Sequence, residues 1–501
     1  KKIITYEFLM YVYLIIYMSS SRFVQLRANN VASDQTISFR SGFPVLSFTI
    51  PAQNGVLDPR SIRLNGNLQI FKEMGGVNDT ATGRPEGQPP YDGDANKITM
   101  DNRLGIYAMW DQLVIRHDKS KQICENILNY NRYMSQYLGL TSSVQDLTGH
   151  MNESTLCQPN ARAMYMNVVS SGAEPVGAPA DRTLRPKAFS CYLPCGFLMS
   201  GQSLNLMENA FGGLTIEIHL SPDSNCLFTE TGVEPVPANR AQAFYELSNL
   251  SLTCEVHDIP AEELSALSQQ TTGEMEFNTI TSLYTTLNST NAQIQYSLGL
   301  RYLQSAFLNF VPATHINNIS HNGLALTQLS QSANAGVVAN RSALVNVKSL
   351  QFLKGGVNYP MDFTLRDVSE ITGNDSLATA GAESSFNVPD SQLARLLAES
   401  VVPEAMVDKT SMSLANMSRT YNMVADANAN AGSYKNVKDG GVLYGLGVRL
   451  SQFNAGEDYS REQFGISLET DLTTDNPNGV YLYFKSKSKL VYGPSGVQLL
   501  K

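Results

Sequence analysis

The chain has 501 residues, 45 of them acidic and 36 basic, for a formal charge of −9. With 43% apolar and only 16% charged residues it can bury a large core, which excludes a disordered tail. The acidic balance excludes a grip on nucleic acid by bulk electrostatics. Six cysteines, all between Cys124 and Cys254, exclude a disulfide scaffold and fit synthesis in a reducing compartment.

Residues 1–17 (KKIITYEFLMYVYLIIY) set two lysines before an apolar run shorter than a spanning helix needs. Three readings compete: a secretory signal, a membrane-touching arm, or sequence upstream of a true start at Met18. No Ala-x-Ala cleavage site follows and Glu7 interrupts the run, while SSSRFVQLRANN reads as an ordinary polar start. The third reading is therefore preferred. Elsewhere no stretch approaches 18 apolar residues.

Alternation of apolar and polar residues then dominates. In LSFTI, Leu46, Phe48 and Ile50 alternate with Ser47 and Thr49. In SIRLNGNLQIF, Ile62, Leu64, Leu68 and Ile70 oppose Arg63, Asn65, Asn67 and Gln69. Trp110 is expected to anchor the first core. Ile123, Ile127, Tyr130 and Met134 recur at helical spacing and predict a helix over Lys121–Leu138. In LTIEIHL, Leu214, Ile216, Ile218 and Leu220 alternate with Thr215, Glu217 and His219. These patterns describe half-buried antiparallel strands.

PAEELSAL (Pro260–Leu267) predicts a short helix between two β-rich halves, and Asp390 can cap another that Pro403 ends. Near the C-terminus, Ile466, Leu468 and Leu472 alternate with Ser467, Glu469 and Asp471, and Asp475–Gly479 predicts a turn. In VYLYFKSKSKLVY, Val480, Leu482, Phe484 and Leu490 take one face and Lys485, Lys487 and Lys489 the other. The lysine row reads as a solvated face that blunts edge pairing. Long polar stretches separate the strands at Lys72–Met100, Val168–Lys187, Thr372–Asn387 and Asp426–Gly441.

The two halves run in parallel: each opens on alternation, makes a long excursion and closes on two strands, LTIEIHL with FYELSNLSLTCEVHDI and ISLETDL with VYLYFKSKSKLVY. The expected organisation is all-β: an N-terminal arm at 1–34, β-sandwiches at 35–258 and 276–501, and a linker at 259–275.

Chemistry is sparse. Phosphate-binding, dinucleotide, zincin and serine-nucleophile motifs are absent; Gly445-Leu-Gly447 lacks a third glycine. Asp92-Gly-Asp94-Ala-Asn96 starts like a calcium loop but continues with Lys97 and reaches Arg103 where glutamate belongs. Cys191, Cys195, His219 and Cys226 permit a zinc site on paper, yet FSCYLPCGFLMSG suits packed thiols. His219 beside Glu217 reads as a solvated pair. Eight Asn-x-Ser/Thr sites occur in an Asn-, Ser- and Thr-rich chain and carry no weight outside the secretory pathway. No catalytic, cofactor-binding or metal residues are nominated.

One resemblance spans most of the chain. The order LSFTIPAQNGVLDPRSIRLNGNLQIF, LGIYAMWDQLVIRHDKSKQICENILNYNRYMSQYL, CGFLMSGQSLNLMENAFGGLTIEIHLSP and YELSNLSLTCEVHDIP, then SLQFLKGGVNYPMDF and GVYLYFKSKSKLVYGPSGVQ, resembles the double jelly-roll major capsid proteins of virophages and polinton-like viruses. It covers about residues 35–501. The resemblance implies two tandem eight-stranded jelly rolls standing perpendicular to a shell. It implies a non-enzymatic subunit that trimerises into a pseudo-hexagonal capsomer and tiles an icosahedral capsid of a DNA virus. The partners implied are the chain itself, neighbouring capsomers, and penton and minor capsid proteins, with an internal membrane left open. The location implied is the virion, after synthesis in a host cell. The hydrophobic leader at 1–17 departs from the family pattern. Two other readings are kept: a carbohydrate-binding or carbohydrate-active β-sandwich, and a secreted or membrane-tethered surface protein.

Overall fold

The computed structural model describes residues 20–32, 35–74, 98–101, 104–141, 154–156, 186–229, 241–260, 272–312, 316–318, 323–324, 327–328, 347–359, 365–366, 442–443, 446–450, 456–470, 478–493 and 496–500. Eight strands build the first half: β1 (Ser21–Arg27), β2 (Val45–Ile50), β3 (Gly55–Met74), β4 (Trp110–His117), β5 (Ile123–Leu128), β6 (Lys187–Tyr192), β7 (Leu214–Leu220) and β8 (Ala241–Asp258). Eight more build the second: β9 (Gly273–Leu287), β10 (Asn291–Tyr296), β11 (Leu303–Pro312), β12 (Val347–Lys354), β13 (Val357–Asn358), β14 (Leu446–Arg449), β15 (Phe464–Thr470) and β16 (Asn478–Gly493). Short accessory strands, a 3-10 helix at Gly105–Met109, a one-turn helix at Asp223–Cys226 and one helix of three turns, α1 (Tyr130–Thr141), complete the described elements.

The strand order repeats. The first half forms sheets β1-β8-β3-β6 and β2-β7-β4-β5; the second forms β9-β16-β11-β14 and β10-β15-β12-β13. Counted within its own half, each set reads first-eighth-third-sixth and second-seventh-fourth-fifth. That is jelly-roll connectivity: antiparallel sheets whose consecutive strands cross between layers, except the fourth and fifth, which pair with each other. Among the described residues no sheet mixes strands of the two halves.

The expected alternation fills the cores. Leu46, Phe48 and Ile50 of β2 and Ile62, Leu64, Leu68 and Ile70 of β3 are buried. Trp110 is wholly enclosed, its ring 6.1 Å from that of Phe189. In the second half Leu308, Phe352, Val448, Ile466 and Leu482 surround an edge-on pair, Phe464 and Phe484, with centroids 5.0 Å apart.

Four expectations change. Lys121–Leu138 is not one helix: β5 occupies Ile123–Leu128 and α1 begins at Tyr130. Asn129 joins them with φ of 52°, and the ladder from β4 takes the backbone of residues 123–128 into the sheet. The lysine row is not a solvated edge, because β16 lies between β9 and β11. Lys485 is buried, while Lys487 and Lys489 reach across the ladder to Glu276 (2.7 Å) and Glu274 (2.5 Å). Third, the closing strands of each half are consecutive but not partners. β7 joins β2 and β4 while β8 joins β1 and β3, and β15 and β16 separate likewise. Fourth, Ser21–Arg27, read as part of an arm, pairs in full with β8 from Ser21↔His257 to Arg27↔Ser251.

Residues 1–17, residues 261–267 of the expected linker helix, Asp390–Pro403, the Asp92 loop and most of the long polar stretches lie outside the described residues.

The second core predicts a sharp mutational response. Phe464→Ala removes a ring that packs on Phe352, Tyr459 and Phe484. It is expected to cost about 3–5 kcal/mol, read as a lower denaturation midpoint in urea.

Candidate functional site

The residues with the most demanding environments lie where the halves meet. β5 ends its sheet and β9 ends another, so two strand edges with spare backbone groups face each other. Side chains close the seam in place of a continuous ladder. Glu125 of β5 is fully buried, and its Oε1 accepts the backbone N–H groups of Ile280 (3.0 Å) and Gly196 (3.3 Å). Its Oε2 accepts the N–H of Phe197 at 2.8 Å. One carboxylate thus satisfies donors from both halves. Burial pushes its carboxyl above the ordinary range, and the N–H donors oppose that shift. Three residues on, the N–H of Leu128 donates to Ser282 Oγ of β9 at 2.8 Å.

Close packing accompanies these bonds. A Cβ on Gly196 would lie 1.3 Å from the Asn278 carbonyl oxygen, so only glycine lets the two backbones approach this far. Phe197 meets Phe277 edge-on at 5.2 Å, and Phe211 meets Tyr492 at 5.6 Å.

Helix α1 supplies the second part. Its spacing buries Tyr130, Tyr133, Met134 and Tyr137 together. Tyr133 packs on Tyr483 at 5.9 Å, and the Tyr483 hydroxyl donates to the Asn129 carbonyl at 3.0 Å. Arg132 is buried with its guanidinium 4.2 Å over the Tyr481 ring. It donates to Asn225 Oδ1 at 3.3 Å in the first half and to the Gly323 carbonyl in the second. Ser135 Oγ donates to the Leu324 carbonyl at 2.9 Å. β16 therefore uses both faces: Val480, Leu482 and Phe484 enter the second core, and Tyr481 and Tyr483 face the first half.

This arrangement binds two sandwiches into one unit; it assembles no nucleophile, base or open cleft. The residues weighed for chemistry are dispersed. Glu217 pairs with Arg116 at 3.0 Å rather than with His219. Cys191, Cys195 and Cys226 are buried free thiols, and among the described residues no group of three His, Cys, Asp or Glu side chains could hold a metal. The His117 ring lies between Ser120 Oγ (2.7 Å) and the Phe211 carbonyl (2.6 Å), and burial pushes its pKa down. Enclosure of Trp110 removes it from any sugar-stacking surface. A cavity of about 420 Å³ beside β1 is lined by Gln25, Arg27, Val31, Asn249 and Ser251 and brings no pair of carboxylates together.

No protein-family model matches the chain, and no curated protein matches it by sequence. Solved structures do. The PBCV-1 virus capsid matches with a TM-score of 0.51 at 10% identity, over 96% of this chain and 97% of that one. The Faustovirus major capsid protein gives 0.51 at 9% identity, over 95% and 90% of the two chains. The fold is that of the double jelly-roll capsid proteins. The Sputnik virophage structure gives 0.50 at 10% identity, over 96% and 88%. At such identities the double jelly roll is shared as architecture, which the repeated strand order above describes in this chain.

Glu125, Arg132, Gly196, Tyr481 and Tyr483 were not singled out from the sequence. The legible signal was a charge set inside an apolar stretch: Glu125 in ICENILNY and Arg132 in YNRYM. A buried charge persists when it is paired or hydrogen-bonded.

Two substitutions probe the seam of the double jelly roll. Glu125→Gln replaces one acceptor oxygen by an NH₂ group and leaves an N–H without its acceptor. It is expected to lower stability by about 1–3 kcal/mol in chemical denaturation. Gly196→Ala forces the halves apart and is expected to cost on the order of 3 kcal/mol. Faster proteolysis between the halves would report that separation.

Proposed function

We propose that this chain is a viral major capsid protein: a structural subunit, not an enzyme, that trimerises into a pseudo-hexagonal capsomer and tiles an icosahedral shell. The carrying observation is the repetition of one strand order in two sandwiches held side by side by a buried seam. Three such chains around a threefold axis present six near-equivalent rolls, which suits a hexagonal lattice without six identical subunits. The likeness to capsid structures over nearly the whole chain supports the same reading. So does the dispersal of titratable groups described above.

On this reading the rolls are residues 35–258, extended by β1, and 276–501, extended back to Gly273 by the start of β9, joined through the residues between Asp258 and Gly273. The partners are other copies of the chain, neighbouring capsomers, and penton and minor capsid proteins; the location is the virion. The five described cysteines, all buried free thiols, fit synthesis in a reducing compartment. The carbohydrate reading loses its best residue with the burial of Trp110.

Light scattering followed by electron microscopy of the same sample tests the proposal. One chain is 54.9 kDa, so the expected species is a trimer of about 165 kDa with a hexagonal outline. A protein that remains monomeric at high concentration overturns it.

A further inference from the structure

We propose that His117 is an acid-released clasp at one end of the first roll, and that Lys354 holds the equivalent place in the second roll with a clasp that mild acid leaves closed. The device works within a single chain and needs no assembly. The internal repeat sets the two residues in register. His117 is the last residue of β4 and pairs with Leu214, the first residue of β7. Lys354 is the last residue of β12 and pairs with Phe464, the first residue of β15. The neighbouring backbone bond repeats too. The Asp118 N–H donates to the Gly213 carbonyl at 2.9 Å, and the Gly355 N–H donates to the Gln463 carbonyl at 2.9 Å. In each roll the last side chain of the fourth strand ties its own turn to the connection that enters the seventh strand.

The two ties use different chemistry. The His117 ring is buried. Its Nε2 lies 2.6 Å from the Phe211 carbonyl, which can only accept, so Nε2 carries the proton. Its Nδ1 accepts the backbone N–H of Ser120 at 3.0 Å, so Nδ1 is bare. The neutral ring is thus fixed in one tautomer with both nitrogens used. A proton added to Nδ1 sets donor against donor. Ser120 Oγ, 2.7 Å away, can accept that proton, but the turn must then move its N–H off the ring.

Around the ring stand Asp118, Lys119 and Lys121 of the turn and the Cys124 thiol of β5. Glu208, in the connection before β7, pairs with Lys119 at 3.6 Å. On β7, Thr215 donates to Asp118, and Glu217 is taken by Arg116. Tyr492 of the second roll reaches the ring only through Phe211. Burial favours the neutral ring and outweighs the support that the Phe211 carbonyl and Asp118 give a charged one; Lys119 and Lys121 act with burial. A histidine held below its ordinary range stabilises the fold above that range, and the contribution is lost as pH falls through the lowered value. Lysine titrates far above that range. Lys354 Nζ lies 2.9 Å from Glu457 and 3.9 Å from Glu462, beside the rings of Tyr459 and Tyr359. Burial works against the Glu457 carboxylate, but bonds from Tyr359 and Lys354 hold it below the usual range. Mild acid therefore charges the first clasp and leaves the Lys354–Glu457 pair intact. Phe211 carries the release further, because its ring packs on Tyr492 of β16 at 5.6 Å.

Amide hydrogen exchange of the full-length chain, read by mass spectrometry at about pH 7.5 and about pH 5 and corrected for intrinsic rates, tests both clasps at once. Peptides over residues 117–122 and 207–214 are expected to lose roughly tenfold in protection at the lower pH, while those over 354–359 and 456–464 keep theirs. Exchange at the His117 ring carbon between the two nitrogens, followed across pH in the same wild-type protein, reports the protonation of the ring itself. Its midpoint is expected below the ordinary histidine range and in step with the loss of protection. His117→Gln cannot titrate, and its first-roll protection is expected to be the same at both pH values. Equal protection at both pH values in the wild type overturns the proposal. So does loss in both rolls together, or an unchanged pH response in His117→Gln. If that variant fails to fold, the ring titration decides: a midpoint that matches the loss supports the clasp, and one that does not overturns it.

Discussion

The structure depends on how two strand edges are satisfied where they meet. An exposed edge offers unpaired N–H and C=O groups, and a buried edge must fill them or lose stability. β5 and β9 meet without a continuous ladder. Instead a single carboxylate, Glu125, accepts three backbone N–H groups drawn from both rolls, and Ser282 accepts a fourth. Side-chain closure of this kind joins two sandwiches while keeping their sheets distinct. Gly196 permits the approach, and Arg132 and the tyrosines of α1 and β16 extend the contact beyond the edges.

Duplication gives the seam its significance. Two rolls with one strand order are set side by side as one unit. The absence of a catalytic constellation among the described residues then has a physical sense. Large antiparallel sandwiches with buried thiols and dispersed titratable groups provide stiffness and contact area rather than a reactive cleft.

Much of the fold was legible because one-sided burial writes itself as alternation. β2, β3, β7 and β15 were read with the correct inward residues, including Leu46, Ile62, Ile216 and Ile466. The reading failed where a strand is covered on both sides or where a neighbour overrides local spacing. β16 buries Tyr481 and Tyr483 as well as Leu482 and Phe484, and Lys485, read as part of a solvated lysine face, is buried too. Residues 123–128 have helical spacing but join β4. The seam was almost invisible, since each of its partners is far away in sequence. Glu125 and Ile280 are 155 residues apart, and Arg132 and Gly323 are 191 apart.

The sequence by itself determined the class of the protein: all-β, built in two parallel halves, low in charge and without a catalytic motif. Those properties are local or compositional, and each residue carries its share of them. The tertiary structure alone decided that closing strands separate into opposite sheets, that β16 lies inside its sheet between β9 and β11, and that a buried glutamate holds the halves together. Such features arise from contacts between distant segments, and a linear pattern of apolar and polar residues records only that a side chain is covered, not what covers it.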